Sequence, residues 1–248
     1  MSKTVAETFS AAAVGYDAHA FPQRMAAVAL LAFTGEISPC AILEAGCGTG
    51  LYTQLLRTAF PVARILGIDV AAAMVEIARQ RLPEVNFRVA DAEQFRDGCY
   101  ELVTANAAVQ WFADLPGSIA RLADRLTAGG TLSFSFFGPE TYHELDGAVR
   151  AVFGADACVT SRRFARQETL IAGLRAACSS WALEERGHAQ TFASLRDLLL
   201  AIRHTGTRGP AISLPWTPGR LARVEAAYLA REGAIRASYQ IFLCKGQR

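Results

Sequence analysis

Between Ile42 and Phe137, short continuous apolar runs alternate with stretches whose apolar residues recur every three or four positions. The runs predict strands over 42–44, 64–69, 85–90, 101–106 and 131–136, and the periodic stretches predict helices over 51–59, 72–81 and 116–126. Such alternation is the mark of a parallel sheet covered by helices on both faces. Gly129-Gly130 reads as the glycine cap that closes the last of these helices. Further along, the pattern predicts an inserted helix over 139–153, a helix of the main fold over 167–178 and a strand over 181–192. Amphipathic helices follow over 195–204 and 218–231, before a final strand over 237–244. More than forty residues separate the last two strands, too many for a tight turn. The helices between them are expected to fold back as a cap.

Polar residues gather at the carboxyl ends of the predicted strands. Ile42-Leu43-Glu44 runs into Gly46-Cys47-Gly48-Thr49-Gly50, and Ile65-Leu66-Gly67-Ile68 ends in Asp69. Glycines let the backbone approach a ligand closely, and an acid ending the second strand is placed to grip ribose hydroxyls. A dinucleotide fingerprint needs a third glycine three positions after the second, where this chain has Leu51. Glycines at alternate positions behind acidic Glu44 suit instead a nucleoside that bears an amine. The segment resembles motif I of the class I S-adenosylmethionine methyltransferases. The resemblance implies a Rossmann-like α/β fold: a mostly parallel seven-stranded sheet with helices on both faces and a helical cap before the last strand. It also implies an adenine contact at Asp91-Ala92-Glu93 after the third strand, and a wall beside the reacting methyl group at 106–111. The expected cofactor set is Arg24, Glu44, Gly46, Cys47, Gly48, Gly50, Asp69, Val70, Met74, Asp91, Ala92, Glu93 and Asn106.

The chain has 248 residues, 52% of them hydrophobic, enough for one large domain with an ample core. Within it the pattern delimits an N-terminal helical lid (1–35), a cofactor-binding core (36–137) and an inserted helix (138–165). A core helix and strand (166–192), the helical cap (193–236) and the final strand (237–248) complete it. Apolar stretches fall short of the ~20 residues of a membrane span, and the N-terminus lacks the basic-then-apolar order of a signal peptide. A cytoplasmic protein is expected. Six cysteines at irregular intervals read as reduced thiols, and four histidines without metal spacing predict no bound metal. The net charge of +2 hides an asymmetry: residues 1–157 balance to −6, and residues 158–236, with twelve arginines, to +6. That footprint is too weak for nucleic acid and suits an acidic protein partner.

The segment from Phe9 to Arg24, containing Gly15-Tyr16-Asp17 and His19, resembles the N-terminal signature of the malonyl-acyl-carrier-protein O-methyltransferases of biotin synthesis. The phrases 106–111, 135–145 and 198–206 are similar to the same family, so the likeness spans nearly the whole chain. It implies methylation of the free carboxylate of a malonyl thioester on an acidic acyl-carrier protein, with the malonyl-coenzyme A thioester as an alternative methyl acceptor. A malonyl carboxylate, with an acid pKa near ~4, is ionised at neutral pH and needs no general base. Tyr16 and Trp111 are the expected catalytic residues, placing rings or polar groups beside the sulfonium. Arg24 is the expected partner of the cofactor's methionine carboxylate. His19, Gln23, Gln110, Tyr142, His143 and Arg203 are the expected substrate residues, with Arg203 as the cation for the malonyl carboxylate. Two readings stay open beside this one: methylation of a small free acid or quinone precursor, and a noncatalytic adenosylmethionine-binding module.

Overall fold

A computed structural model describes residues 4–205 and 216–248. The apolar runs form strands β1 (Ala41–Ala45), β2 (Arg64–Asp69), β3 (Asn86–Val89), β4 (Tyr100–Ala105), β5 (Leu126–Phe137), β6 (Ser180–Phe192) and β7 (Ile235–Gln247). They make a seven-stranded sheet in the order β3-β2-β1-β4-β5-β7-β6, in which β7 runs antiparallel to both neighbours. Ile42 pairs with Ile65 on one side and Leu102 on the other. Strand order therefore reverses between β1 and β4, which opens a crevice beyond their carboxyl ends.

Successive strand residues feed opposite layers. Ile42, Ile65 and Leu102 enter one core with Leu30, Leu56 and Val75, from helices α3 (Phe21–Thr34), α4 (Leu51–Ala59) and α5 (Ala72–Arg81). Leu43, Ile68 and Val103 enter the other with Ile119 and Leu174, from α6 (Leu115–Ala123) and α8 (Gln167–Ala177). In front of α3 lie α1 (Val5–Ala12), one 3-10 turn and the short α2 (Tyr16–His19).

Two sequence expectations change. Gly129-Gly130 does not cap α6, which ends at Ala123, but lies inside β5. Leu126 already pairs with Tyr100, and the next paired residue, Thr131, faces Leu102. Extra residues on β5 bulge out between those pairs, and Gly129 supplies the left-handed turn (φ 73°) they require. The inserted helix α7 (His143–Phe153) starts later than Pro139. Gly138 and Tyr142 donate backbone hydrogen bonds to Gln240 and Ser238 of β7, which holds the preceding segment against that strand.

Phe192 and Ile235 close the β6–β7 ladder, so the long connection leaves from the end of a paired hairpin. Its helices are α9 (Leu195–His204), whose Ser194 cap accepts the Asp197 N–H, and α10 (Pro218–Glu232), whose Thr217 cap accepts the Arg220 N–H. The last residue of the 198–206 phrase, Gly206, lies outside the described residues. No helix among those described is long and apolar enough to cross a membrane.

Candidate active site

Two cavities open at the carboxyl ends of the central strands, and Trp111 lines both. The first, about 300 Å³, has a floor made by the turn after β1. Gly46 and Gly48 adopt left-handed φ of 72° and 54°. A Cβ on Gly46 would sit 2.4 Å from that of Ala108, whereas one on Gly48 would meet nothing within 4 Å among the described residues. The loop is thus pressed against the β4 end on one side and bare on the other, a cradle for a close-fitting ligand.

Asp69, at the end of β2, lines this cavity. Its carboxylate accepts the Gly48 N–H at 2.9 Å and the Ala71 N–H at 2.8 Å. Burial raises its pKa, and these backbone donors oppose the rise. Val70, Met74, Asp91, Ala92, Glu93 and Asn106 also line the cavity, together with Tyr16 from the lid. Asn106 is fixed from both ends: it accepts from the Ser135 hydroxyl at 2.7 Å and donates to the Gln23 carbonyl at 3.0 Å. The next residue, Ala107, holds φ 51°, a strained conformation without glycine that its position between the cavity and the Ser135 hydroxyl imposes.

Four of the expected cofactor residues do not line the cavity. Glu44 is buried beneath the loop, where it accepts the Thr53 hydroxyl at 2.5 Å. Desolvation pushes its pKa up to about 8. Cys47 is buried in the core and Gly50 packs against Ala78 of α5. Arg24 turns away to donate to the Asp17 carbonyl. Glu93 reaches the cavity wall, but its carboxylate is committed to the Ala113 and Asp114 N–H groups and the Ser118 hydroxyl. Desolvation acts upward on its pKa, and those donors outweigh it, leaving the net shift downward. Asp91 uses one carboxylate oxygen on the Glu93 N–H, which leaves its other oxygen toward solvent and ligand.

The second cavity, about 320 Å³, lies under the cap and is lined chiefly by apolar side chains such as Leu145, Val149, Leu199 and Leu221. Gln23, Gln110, Tyr142 and Arg203 line it as expected; His19 and His143 do not. His19 stacks on His204 of α9, ring centroids 4.6 Å apart, and so joins lid to cap. His143 is half-exposed on another face, its Nδ1 3.1 Å from the Glu140 carbonyl. Starting α7 at His143, after a left-handed Tyr142 (φ 62°), turns the tyrosine toward the cavity and the histidine away.

At the junction Trp111 is wedged edge-on between Phe9 of the lid and Phe164, with centroids 5.6 and 5.3 Å away. Among the described residues, its Nε1 is buried without a hydrogen-bond partner, as are Oε1 of Gln23 and Oε1 of Gln110. Three such orphans around one junction are costly within the protein alone and call for a polar ligand group. Arg196 also lines the second cavity and was not anticipated. Its signal is the seven-residue spacing from Arg203, which puts both guanidinium stems on one stripe of α9. Val5 and Phe9, missed in the same way, place one face of α1 on the first cavity.

Comparison with known proteins places the chain among methyltransferases. The methyltransferase domain family matches residues 43–134. The chain is 32% identical to a malonyl-[acyl-carrier protein] O-methyltransferase of Anoxybacillus flavithermus, covering 93% of this chain and 92% of that protein. It is 33% identical to the protein of that name from Halorhodospira halophila, covering 96% and 85%. Among solved structures, YcgJ from Bacillus subtilis matches with a TM-score of 0.64 at 14% identity, covering 90% of this chain and 98% of that one. A phosphoethanolamine N-methyltransferase of Haemonchus contortus, solved with S-adenosylhomocysteine, matches at 0.62 and 14%, covering 98% and 60%.

Proposed function

Because the chain belongs to the malonyl-[acyl-carrier protein] O-methyltransferase family, we propose that it methylates the free carboxylate of a malonyl thioester carried on acyl-carrier protein, the early masking step of biotin synthesis. The enzyme uses S-adenosylmethionine. The first cavity fits this cofactor: its bare glycine floor, the Asp69 carboxylate at the β2 end and the acid at Asp91 offer the contacts a cationic nucleoside needs. When bound, it supplies an electrophilic methyl group on a sulfonium.

The observation that carries the reading is the junction at Trp111, where the two cavities share a wall ringed by unsatisfied polar atoms. A carboxylate entering from the second cavity would accept from Trp111 Nε1–H and from the Gln23 amide, whose nitrogen comes forward by a half-turn of the side chain. Gln110 donates to the Ala107 carbonyl at 2.8 Å, which leaves its buried oxygen as the open acceptor and suits it to an N–H of the pantetheine arm rather than to the carboxylate. Arg196 and Arg203, both exposed at the cavity wall, supply the positive charge that draws the carboxylate in.

Tyr16 remains a neutral phenol, because burial and the nearby charges of Asp69 and Asp17 all raise its pKa. It therefore acts as a ring and a hydrogen-bond donor, not as a base, in keeping with a carboxylate that is already ionised. Catalysis rests on alignment and on exclusion of water by Phe9, Trp111 and Phe164. Incubation of malonyl-carrier protein with the enzyme and S-adenosylmethionine should add the mass of one methyl group to the acyl chain. Transfer to small free acids with none to the thioester would overturn the reading.

A further inference from the structure

We propose that Asp17 and Arg81 form a latch that positions Tyr16, fastening the lid to the glycine loop and thereby setting the alignment of the reacting groups. The inference rests on the methyl-transfer reading for its effect on turnover. Its structural basis stands on its own. Asp17 follows Tyr16 in α2, and its carboxylate accepts the Thr49 hydroxyl at 2.6 Å with one oxygen and pairs with the Arg81 guanidinium through the other. Arg81 returns to the loop, donating to the Thr49 carbonyl at 2.8 Å and reaching the Thr49 hydroxyl oxygen at 3.3 Å. Arg24 of α3 donates to the Asp17 carbonyl, so that residue is held through both side chain and backbone.

Geometry makes this a connection between two functional groups. Thr49 follows Gly48, whose N–H holds the Asp69 carboxylate at 2.9 Å. Asp69, the loop, Asp17 and Tyr16 thus form one continuous chain of contacts around the first cavity. Arg81 is the last residue of α5, outside both cavities, and its side chain passes alongside Gly50 of the loop, where a Cβ would lie 3.8 Å from the Arg81 Cδ. Apolar support for the lid here is small, comprising buried Ala13, Ala71 and Met74 with Phe9, Tyr16, Ala73 and Ile77 packed on them. Non-directional contacts of this size do not fix a register; an ion pair whose two partners both also bind Thr49 does. The side chains of Arg81 and Asp17 are 23% and 31% exposed, sheltered enough for the geometry to hold and open enough for salt to weaken it.

The test uses Arg81→Gln, Asp17→Asn and the exchanged pair Asp17→Arg/Arg81→Asp, each made in the wild-type and Tyr16→Ala backgrounds. Turnover on malonyl-carrier protein, S-adenosylhomocysteine affinity by calorimetry and hydrogen exchange of residues 5–34 are measured. In the wild-type background the single variants should lower kcat by roughly tenfold or more, and cofactor-product affinity by less. In the Tyr16→Ala background Arg81→Gln should cost less than about twofold, since the two residues act through one another. The exchanged pair should recover part of the loss. An equal factor in both backgrounds, or unchanged kcat in Arg81→Gln, would overturn the proposal. Lid exchange should quicken in the single variants while that of β1 stays constant. Unchanged lid exchange would refute the latch even if malonyl-carrier protein proved not to be the substrate, so the two failures are distinguishable.

Discussion

Asp69 and Glu44 end adjacent strands and carry the same functional group, yet their surroundings give them different work. Asp69 faces the cavity with two backbone N–H groups holding its oxygens, so the carboxylate is preset for ribose hydroxyls. Asp69→Ala should weaken S-adenosylhomocysteine binding at least about tenfold by calorimetry in a protein that still melts cooperatively, a loss of ~1.5–3 kcal/mol. Glu44 faces inward, and among the described residues only the Thr53 hydroxyl serves it. Its folded pKa of about 8 stands above the ordinary 4.5, so the folded state keeps a proton that the unfolded chain releases as pH rises between those values. The stability this contributes is complete below the unfolded pKa and is lost as pH climbs through the folded one. Glu44→Gln, which can still accept from Thr53, should therefore gain stability relative to wild type on going from about pH 5 to about pH 9. Melting curves of the ligand-free proteins at both pH values check this; a constant difference would mean that Glu44 is ionised in the fold. Acidic type at a strand end was visible in the sequence. Orientation was not, because one residue of a strand decides which layer a side chain enters.

Helices and strands were the most legible scale wherever an apolar pattern and a local cap agreed. α4, α5 and α9 start and stop where periodicity places them, with Gly50 and Ser194 at their N-termini. β5 and α7 departed because long-range pairing overrode local signals: a glycine pair resembling a cap became a bulge, and β7 delayed α7 by a turn. No residue within either segment encodes the partner strand that made the difference. On α9 the missed Arg196 shares a cavity wall with Arg203, so the element acts as a unit. Arg203→Ala should raise KM for malonyl-carrier protein and leave S-adenosylhomocysteine affinity within about twofold, and lysine should rescue only in part because a point charge replaces a two-pronged donor. Arg196→Ala should act in the same direction. The double variant should cost less than the product of the singles if both contact one carboxylate, because removing either already leaves the other misplaced. Normal KM in the double variant on a malonyl-pantetheine substrate would exclude carboxylate recognition by this helix.

Across the whole molecule, charge and cavities are arranged about one axis. The balance of −6 belongs to the residues that build the cofactor half of the sheet, and the balance of +6 to the segment that includes α8, α9, α10 and β6. Acids near the cofactor suit a cationic ligand, whereas α9 and α10 of the basic segment line the cavity through which an acidic carrier protein would deliver its acyl chain. The asymmetry was countable in the sequence, but its meaning depended on the topology that brings α9 and α10 to the second cavity. Long-range attraction of this kind raises the encounter rate and is screened by salt, whereas contacts inside a cavity are screened far less. Two substrates with the same malonyl head separate these effects. On raising ionic strength from about 0.05 to about 0.5 M, kcat/KM for malonyl-carrier protein should fall by roughly tenfold, while that for malonyl-pantetheine, which lacks the protein surface, should change by less than about threefold. Variants that neutralise arginines of α10 outside the cavity, such as Arg223→Ala, should flatten the salt dependence of the carrier substrate and leave the pantetheine rate alone. Equal salt sensitivity of the two substrates would place the electrostatic contribution at the carboxylate itself and remove the basic half from carrier docking.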